Sequence, residues 1–205
     1  MKIAIIGTGN VGGTLAEKWA KQGHQLFFGV KDASNFKGKE LAARIKATVT
    51  SIPDAVAEAE LVLLATPAMY TIEVTKSLGN TTGKIIIDAM NTVMGRGAPG
   101  FSSTGHAILA HTQTKDVVKC FNTTGYNNMQ HPEYGDQRLD LFVAGESQKG
   151  TAAAIQLAKD AGFAECYSIG GNDKFELMEQ FAWFWINLAM FQGMGRNFGF
   201  KLLKR

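Results

Sequence analysis

The chain has 205 residues, 45% hydrophobic and 19% charged, with a formal net charge of +3. That composition supplies a core for one domain with a small appendage and excludes a disordered chain. The small, scattered charge argues against a nucleic-acid partner. The most apolar stretch, residues 181–194, falls short of the roughly 20 residues a membrane-spanning helix needs.

Strand and helix patterns alternate from the first residues. An apolar run near 2–6 reads as a strand, and a helix over 10–22 follows, with Val11, Leu15 and Trp19 inward and Gly23 as its stop. Then come a strand near 25–29, a helix over 37–46, a strand near 47–50, a helix over 53–59 and a strand near 60–65. A helix over 69–78, a strand near 83–88 and a helix over 105–111 continue the series. Strands near 116–121 and 139–144, a helix over 148–161 and a strand near 165–169 close it. Leu61-Val62-Leu63-Leu64-Ala65 and Ile85-Ile86-Ile87 are nearly continuous apolar runs, which suit strands covered by helices on both faces. The alternation predicts an α/β fold: a doubly wound, Rossmann-type parallel sheet over residues 1–171.

From about Asn172 the pattern changes. Asp173 is placed to cap a helix whose stripe carries Phe175, Met178, Phe181, Ala182, Trp185, Leu188 and Ala189, while Phe184, Ile186 and Met190 lie outside the stripe. A helix apolar on most sides needs cover from more than one direction. Residues 172–205 are therefore expected to form a short C-terminal helical segment, packed on the sheet domain or on a partner subunit. A homodimer is the expected assembly.

Gly7-Thr8-Gly9-Asn10-Val11-Gly12 is a G-x-G-x-x-G sequence between the first strand and first helix. In that context Gly7 permits a tight turn, Gly9 lets a pyrophosphate reach the backbone, and Gly12 lets the helix approach the strand. Free N–H groups and the helix dipole then face the phosphates. Thr8 and Asn10 can add side-chain bonds. An acidic residue at the end of the second strand would hold the ribose of NAD, but that strand ends Gly29-Val30-Lys31. Lys31 and Ser34 suit the 2′-phosphate of NADP; Asp32, beside them, keeps NAD open.

Three further strand ends carry polar or small residues: Ala65-Thr66-Pro67, Asp88-Ala89-Met90-Asn91 and Phe121-Asn122-Thr123. Ala65, Thr66, Pro67 and Asn91 are expected on the nicotinamide side, and Asn122 nearer a hydride acceptor. Each asparagine also has a plain alternative, a loop side chain satisfying nearby backbone. Asp88 reads more readily as a carboxylate buried against backbone N–H groups than as a base. Of the four histidines, His131 is the candidate for a ligand contact. Cys120 and Cys166 sit in apolar runs and read as buried free thiols of a reducing, cytoplasmic setting. No catalytic dyad, metal-ligand spacing or phosphate-loop lysine is evident.

The run IAIIGTGNVGGTL at 3–15, LVLLATP at 61–67, IIIDAMN at 85–91, VVKCFNTTG at 117–125 and GMGRNFGFKLLKR at 193–205 together resemble NADPH-dependent reductases of the deazaflavin (coenzyme F420) class. The resemblance implies hydride transfer between NADP(H) and a deazaflavin or flavin. Members carry a serine and basic residues after the second strand, where this chain has Val30-Lys31-Asp32. Two other classes share the first half: a carbonyl or imine reductase of the hydroxyacid dehydrogenase type, and a non-catalytic dinucleotide-binding redox sensor.

Overall fold

The computed structural model describes all residues, 1–205. In chain order it runs β1 (Lys2–Ile6), α1 (Asn10–Lys21), β2 (Gln25–Val30), α2 (Lys39–Ile45), β3 (Thr48–Ser51), α3 (Ile52–Glu58) and β4 (Leu61–Leu64). It continues with α4 (Thr71–Ser77), β5 (Ile85–Asp88), α5 (Thr104–His111), β6 (Val117–Cys120) and α6 (Tyr126–Gln130). A two-residue hairpin, β7 (Glu133–Tyr134) and β8 (Gln137–Arg138), precedes β9 (Leu141–Ala144), α7 (Gln148–Asp160), β10 (Cys166–Ser168) and α8 (Phe175–Ile186).

Eight strands form one sheet in the order β10-β9-β6-β5-β4-β1-β2-β3. From β3 to β6 all pairs are parallel, with Ile5 beside both Phe28 and Leu63. This is the doubly wound arrangement expected from the alternation. The order reverses between β1 and β4, which opens a crevice beyond their carboxyl ends. The period of two sorts side chains between the faces. Ile3, Ile5, Leu61 and Leu63 pack with Leu15 and Trp19 of α1 and Leu157 of α7. Ala4, Ile6, Val62 and Leu64 pack with α3, α4 and Phe175 and Met178 of α8. With both faces covered, β4 and β6 are buried at every residue.

The far edge departs from the simple alternation. β9 runs antiparallel to β6, because the 121–140 segment never crosses the sheet; it holds only α6 and the β7–β8 hairpin. β10 is parallel to β9 through the α7 crossover. The thiols of Cys120 and Cys166 lie 3.9 Å apart across β9. Strands two apart are separated by about 9.5 Å, beyond the roughly 7 Å a disulfide spans between Cα atoms, so both thiols are free.

A single 3-10 turn, Asn172–Lys174, starts α8 in place of an Asp173 cap, and Asp173 pairs with its neighbour Lys174. Phe175, Met178, Ala182 and Trp185 face inward as the stripe predicts. After a wide π-type turn, Asn187–Phe191, the chain folds back on itself. The Phe198 carbonyl accepts from Trp185 Nε1 at 2.9 Å and from Asn128 Nδ2 at 2.6 Å. Asp140 accepts from Lys201 Nζ and Leu202 N, both at 2.9 Å. The rings of Phe181 and Phe200 pack at a tilt with centroids 4.5 Å apart, so part of the tail's apolar surface is used within the chain. No helix is long and apolar enough to cross a membrane.

Candidate functional site

The turn between β1 and α1 is built by contact. A Cβ at Gly7 (φ +102°) would lie 2.5 Å from the Ala65 carbonyl oxygen, and one at Gly12 would lie 2.0 Å from that of Gly7. Both positions therefore require glycine for the fold itself. Gly9 differs: a Cβ there has nothing within 4 Å. It points into open space, where a side chain would compete with a ligand and not with the protein. Gly9 is the N-cap of α1 and offers no side-chain cap. The first helical bond runs from Gly13 N–H to the Gly9 carbonyl at 2.8 Å. The amides of Asn10, Val11 and Gly12 before it lack helical acceptors and stand at the positive end of the helix dipole. A hollow of about 270 Å³ lies here, lined by Thr8, Gly9, Asn10, Lys37, Gly38 and Tyr126 among others. These features fit a dinucleotide pyrophosphate.

Thr8 places its hydroxyl on the Lys37 carbonyl. Its side chain thus ties the turn to the loop after β2, and its backbone remains for the ligand. In that loop Lys31 pairs with Glu73 of α4, both exposed. Ser34 donates to Asp32 Oδ1 from its hydroxyl at 2.6 Å and from its amide at 2.8 Å. The Ser34 bonds hold the Asp32 carboxyl below the usual carboxylate range. Asp32 is thereby engaged in closing its own turn. Lys39 donates to the Ser34 carbonyl at 3.1 Å. Lys31, Lys37 and Lys39 surround a segment in which the sequence pointed to Lys31 and Ser34.

At the next strand ends, Ala65 faces the glycine turn, and Thr66 turns its hydroxyl to Met90 Sδ at 3.3 Å. Pro67 and Asn91 share a hollow of about 310 Å³ with Ala68, Met69, Val93, Met94 and Arg96. No carboxylate or imidazole lines it. Asn91 and Asn122 bond reciprocally: Asn91 Nδ2 to the Asn122 carbonyl and Asn122 Nδ2 to Asn91 Oδ1, each at 2.8 Å. Asn122 also donates to the Met178 carbonyl at 3.0 Å and is 3% exposed. It stands behind Asn91, orienting it. The residue before it, Phe121, adopts φ +63° while fully buried against Trp19. A left-handed phenylalanine costs on the order of 1–3 kcal/mol and persists only where packing enforces it. Here it aims Asn122 at Asn91.

Asp88 accepts one backbone bond, from Met90 N at 2.9 Å, as expected. Its other oxygen meets Lys119 Nζ and Thr104 Oγ1, each at 2.6 Å. Burial pushes the Asp88 pKa up, against the pull of Lys119. Lys119 and Glu179, the other members of this buried cluster, were not foreseen. The signal for Lys119 was present: a lysine inside the apolar strand Val117-Val118-Lys119-Cys120. His131 is exposed and lines a separate polar hollow with Lys18, Lys21 and Glu133.

A mostly parallel, doubly wound sheet with an open glycine turn at its switch point defines a Rossmann dinucleotide-binding protein. Residues 2–92 match the family model described as NADP oxidoreductase, coenzyme F420-dependent. The chain is 27% identical to an F420-dependent NADP reductase from Methanothermobacter thermautotrophicus, over 98% of this chain and 94% of that one. A crystal structure from Arthrobacter sp. FB24, described as a candidate F420-dependent NADP-reductase, superposes with a TM-score of 0.84 at 28% identity, covering 100% of both chains. A reductive aminase from Aspergillus terreus in complex with NADPH shares the fold at 18% identity and a TM-score of 0.67, over 94% of this chain and 62% of its own. These matches support the family expected from the motifs, and with it the class: an NAD(P)H-dependent oxidoreductase.

Proposed function

We propose that the chain transfers hydride between NADP(H) and a flat ring acceptor of deazaflavin or flavin type. The observation that carries this reading is the pair of hollows along the strand ends. One is a phosphate cradle; the other, beside Pro67 and Asn91, has no carboxylate, imidazole or thiol in its lining, and Arg96 is its one charged side chain. Hydride transfer between two rings needs close approach, correct orientation and exclusion of water, and no general acid from the protein. Reduction of a carbonyl or imine needs a proton delivered as well, and this lining offers no group to deliver it. Bound NADPH supplies the hydride.

In this reading the amides of Asn10, Val11 and Gly12 and the open face of Gly9 hold the pyrophosphate. Lys31 and Ser34 serve the 2′-phosphate, with Lys37 and Lys39 adding positive charge. Ala65, Thr66, Pro67 and Asn91 flank the nicotinamide, with Asn122 fixing Asn91. NADP is favoured over NAD because Asp32 is committed to Ser34 and lysines surround it.

Residues 1–171 form the cofactor domain of this proposal, and 172–205 its cover. A homodimer belongs to the same reading. Trp183, Phe184, Met190, Phe191 and Met194 stay between 38% and 57% exposed after the tail has packed, and such apolar patches mark interaction surfaces. A cytoplasmic setting fits the two unbridged thiols. The test is anaerobic turnover of NADPH and NADH against deazaflavin, FMN and a panel of small ketones and imines. Selective NADPH oxidation by the ring acceptors supports the proposal; turnover of carbonyls or imines alone replaces it.

A further inference from the structure

Three charged side chains meet in the interior, Lys119 and Asp88 fully buried and Glu179 nearly so. Lys119 is fully buried, and its ammonium lies 2.6 Å from Asp88 Oδ2 and 2.9 Å from Glu179 Oε1. It also donates to the Met90 carbonyl at 2.8 Å and lies 2.8 Å from Thr104 Oγ1. Burying ion pairs commonly stabilises a fold no better than apolar residues of the same volume would. A cluster of this kind is therefore better explained by the geometry it fixes than by stability.

The geometry centres on Glu179 of α8. Its Oε1 accepts from Thr104 N and Thr104 Oγ1, each at 2.9 Å, and its Oε2 accepts from Thr92 N at 3.1 Å. One carboxylate thus holds both ends of the segment 92–104. Between those anchors the Arg96 amide donates to the Val93 carbonyl at 3.0 Å across a tight turn, with Met94 at φ +53° and Gly95 at φ +74°. Two positive φ values in succession make a primed turn, the kind that closes a two-residue hairpin. One side of this tip lines the hollow beside Pro67 and Asn91. The other side faces a hollow of about 410 Å³ against Glu176, Gln180 and Trp183 of α8. With a hollow on either side, the tip takes its position from its base.

We propose that Glu179, itself held by Lys119, is a positioning residue for hydride transfer: by clamping Thr92 and Thr104 it sets the wall of the pocket where nicotinamide and acceptor meet. The role of that pocket rests on the function proposed above; the clamp does not. Through it the C-terminal helix, remote in sequence from the glycine turn, governs the acceptor side of the site and leaves the phosphate side alone. Glu179 is not a catalytic residue, since its carboxylate oxygens are occupied by loop amides, the Thr104 hydroxyl and Lys119.

The full-length wild type and Glu179→Gln are compared with NADPH bound. The substituted carboxamide places a donor against Lys119 and the loop amides, so the 92–104 segment should loosen. Tryptic cleavage after the exposed Arg96 should quicken roughly tenfold or more, as expected for a locally opened loop. The Kd for NADPH should stay within about threefold, and kcat with FMN as acceptor should fall about 10–100-fold, the scale of a small misplacement. Unchanged cleavage, an unchanged kcat, or a loss of NADPH affinity as large as the loss of kcat would each overturn the proposal. Should Glu179→Gln fail to fold, hydrogen exchange on the wild type decides. The amides of Thr92 and Thr104 should exchange at least about tenfold more slowly than those of Gly95 and Gly97, and equal rates would refute the clamp. A wild type that binds NADPH but turns over no ring acceptor defeats the proposed function, while cleavage and exchange still report on the clamp.

Discussion

The glycine turn allows a sharp separation of binding from folding. At Gly9 an added Cβ meets nothing within 4 Å, whereas at Gly12 it would lie 2.0 Å from the Gly7 carbonyl oxygen. Gly9→Val therefore keeps the fold, losing about 1 kcal/mol because valine is a poor N-cap, which in a chain of this size lowers Tm by roughly 2–4 °C. Its side chain occupies the space into which the Asn10, Val11 and Gly12 amides point. Each charge-assisted bond lost to the pyrophosphate is worth about 1.5–3 kcal/mol, so losing two weakens NADPH by about 10²–10⁴-fold. Gly12→Ala does the reverse: α1 must move by about 1 Å or more from β1, an overpacking cost of about 1–3 kcal/mol or more. Calorimetric titration and thermal unfolding of both variants read the two effects apart. A folded Gly9→Val protein that binds NADPH within threefold of wild type would refute the assignment of the turn as a phosphate cradle.

Lys31→Ala removes an exposed pair with Glu73, which is worth about 0–1 kcal/mol to the fold. NADPH should weaken about 10–100-fold, the scale of a lost charge-assisted bond, with little change for NADH. Equal losses for the two cofactors in titrations would exclude a 2′-phosphate contact. Burial raises the pKa of Glu179, but Lys119 and the bonds from Thr104 and Thr92 outweigh it and hold the carboxyl below its ordinary 4.5. A lowered folded value means stability that is present above pH 4.5 and lost as pH falls through that folded value. Glu179→Gln should flatten this part of the acid limb in denaturant unfolding; an unaltered limb contradicts the ion pair. For the dimer, sedimentation of the wild type should give a twofold mass that Phe191→Asp reduces to the monomer, and a wild-type monomer at all micromolar concentrations rules the interface out.

Much of this architecture was legible because buried strands and amphipathic helices leave a periodic trace. Leu61–Leu64 and Ile85–Ile87 announce strands covered on both faces, and the glycine spacing between β1 and α1 announces the tight turn that opens α1. The direction of a strand leaves no such trace, so the antiparallel β9 could not be read from Leu141-Phe142-Val143-Ala144. Nor could α6 and the β7–β8 hairpin, which are too short to show a period. The site divides in the same way. Gly7, Gly9 and Gly12 are local to one turn, and Pro67 and Asn91 lie at foreseeable strand ends. Asn122, just past β6, meets Asn91 and Lys119 of β6 meets Asp88, each 31 residues away, and Lys119 in turn meets Glu179 of α8; only folding brings them together. Lys119 and Glu179 could have been flagged as charges within apolar segments; their meeting could not.

The most direct test of the central claim is a single-turnover experiment in which NADPH-loaded protein is mixed anaerobically with oxidised deazaflavin or FMN. Nicotinamide and acceptor absorbances are followed together. The account predicts that both bands decay at one rate, mole for mole, and that Gly9→Val abolishes the decay while remaining folded. Tight NADPH binding with no loss of the nicotinamide band in the presence of either ring acceptor would contradict it.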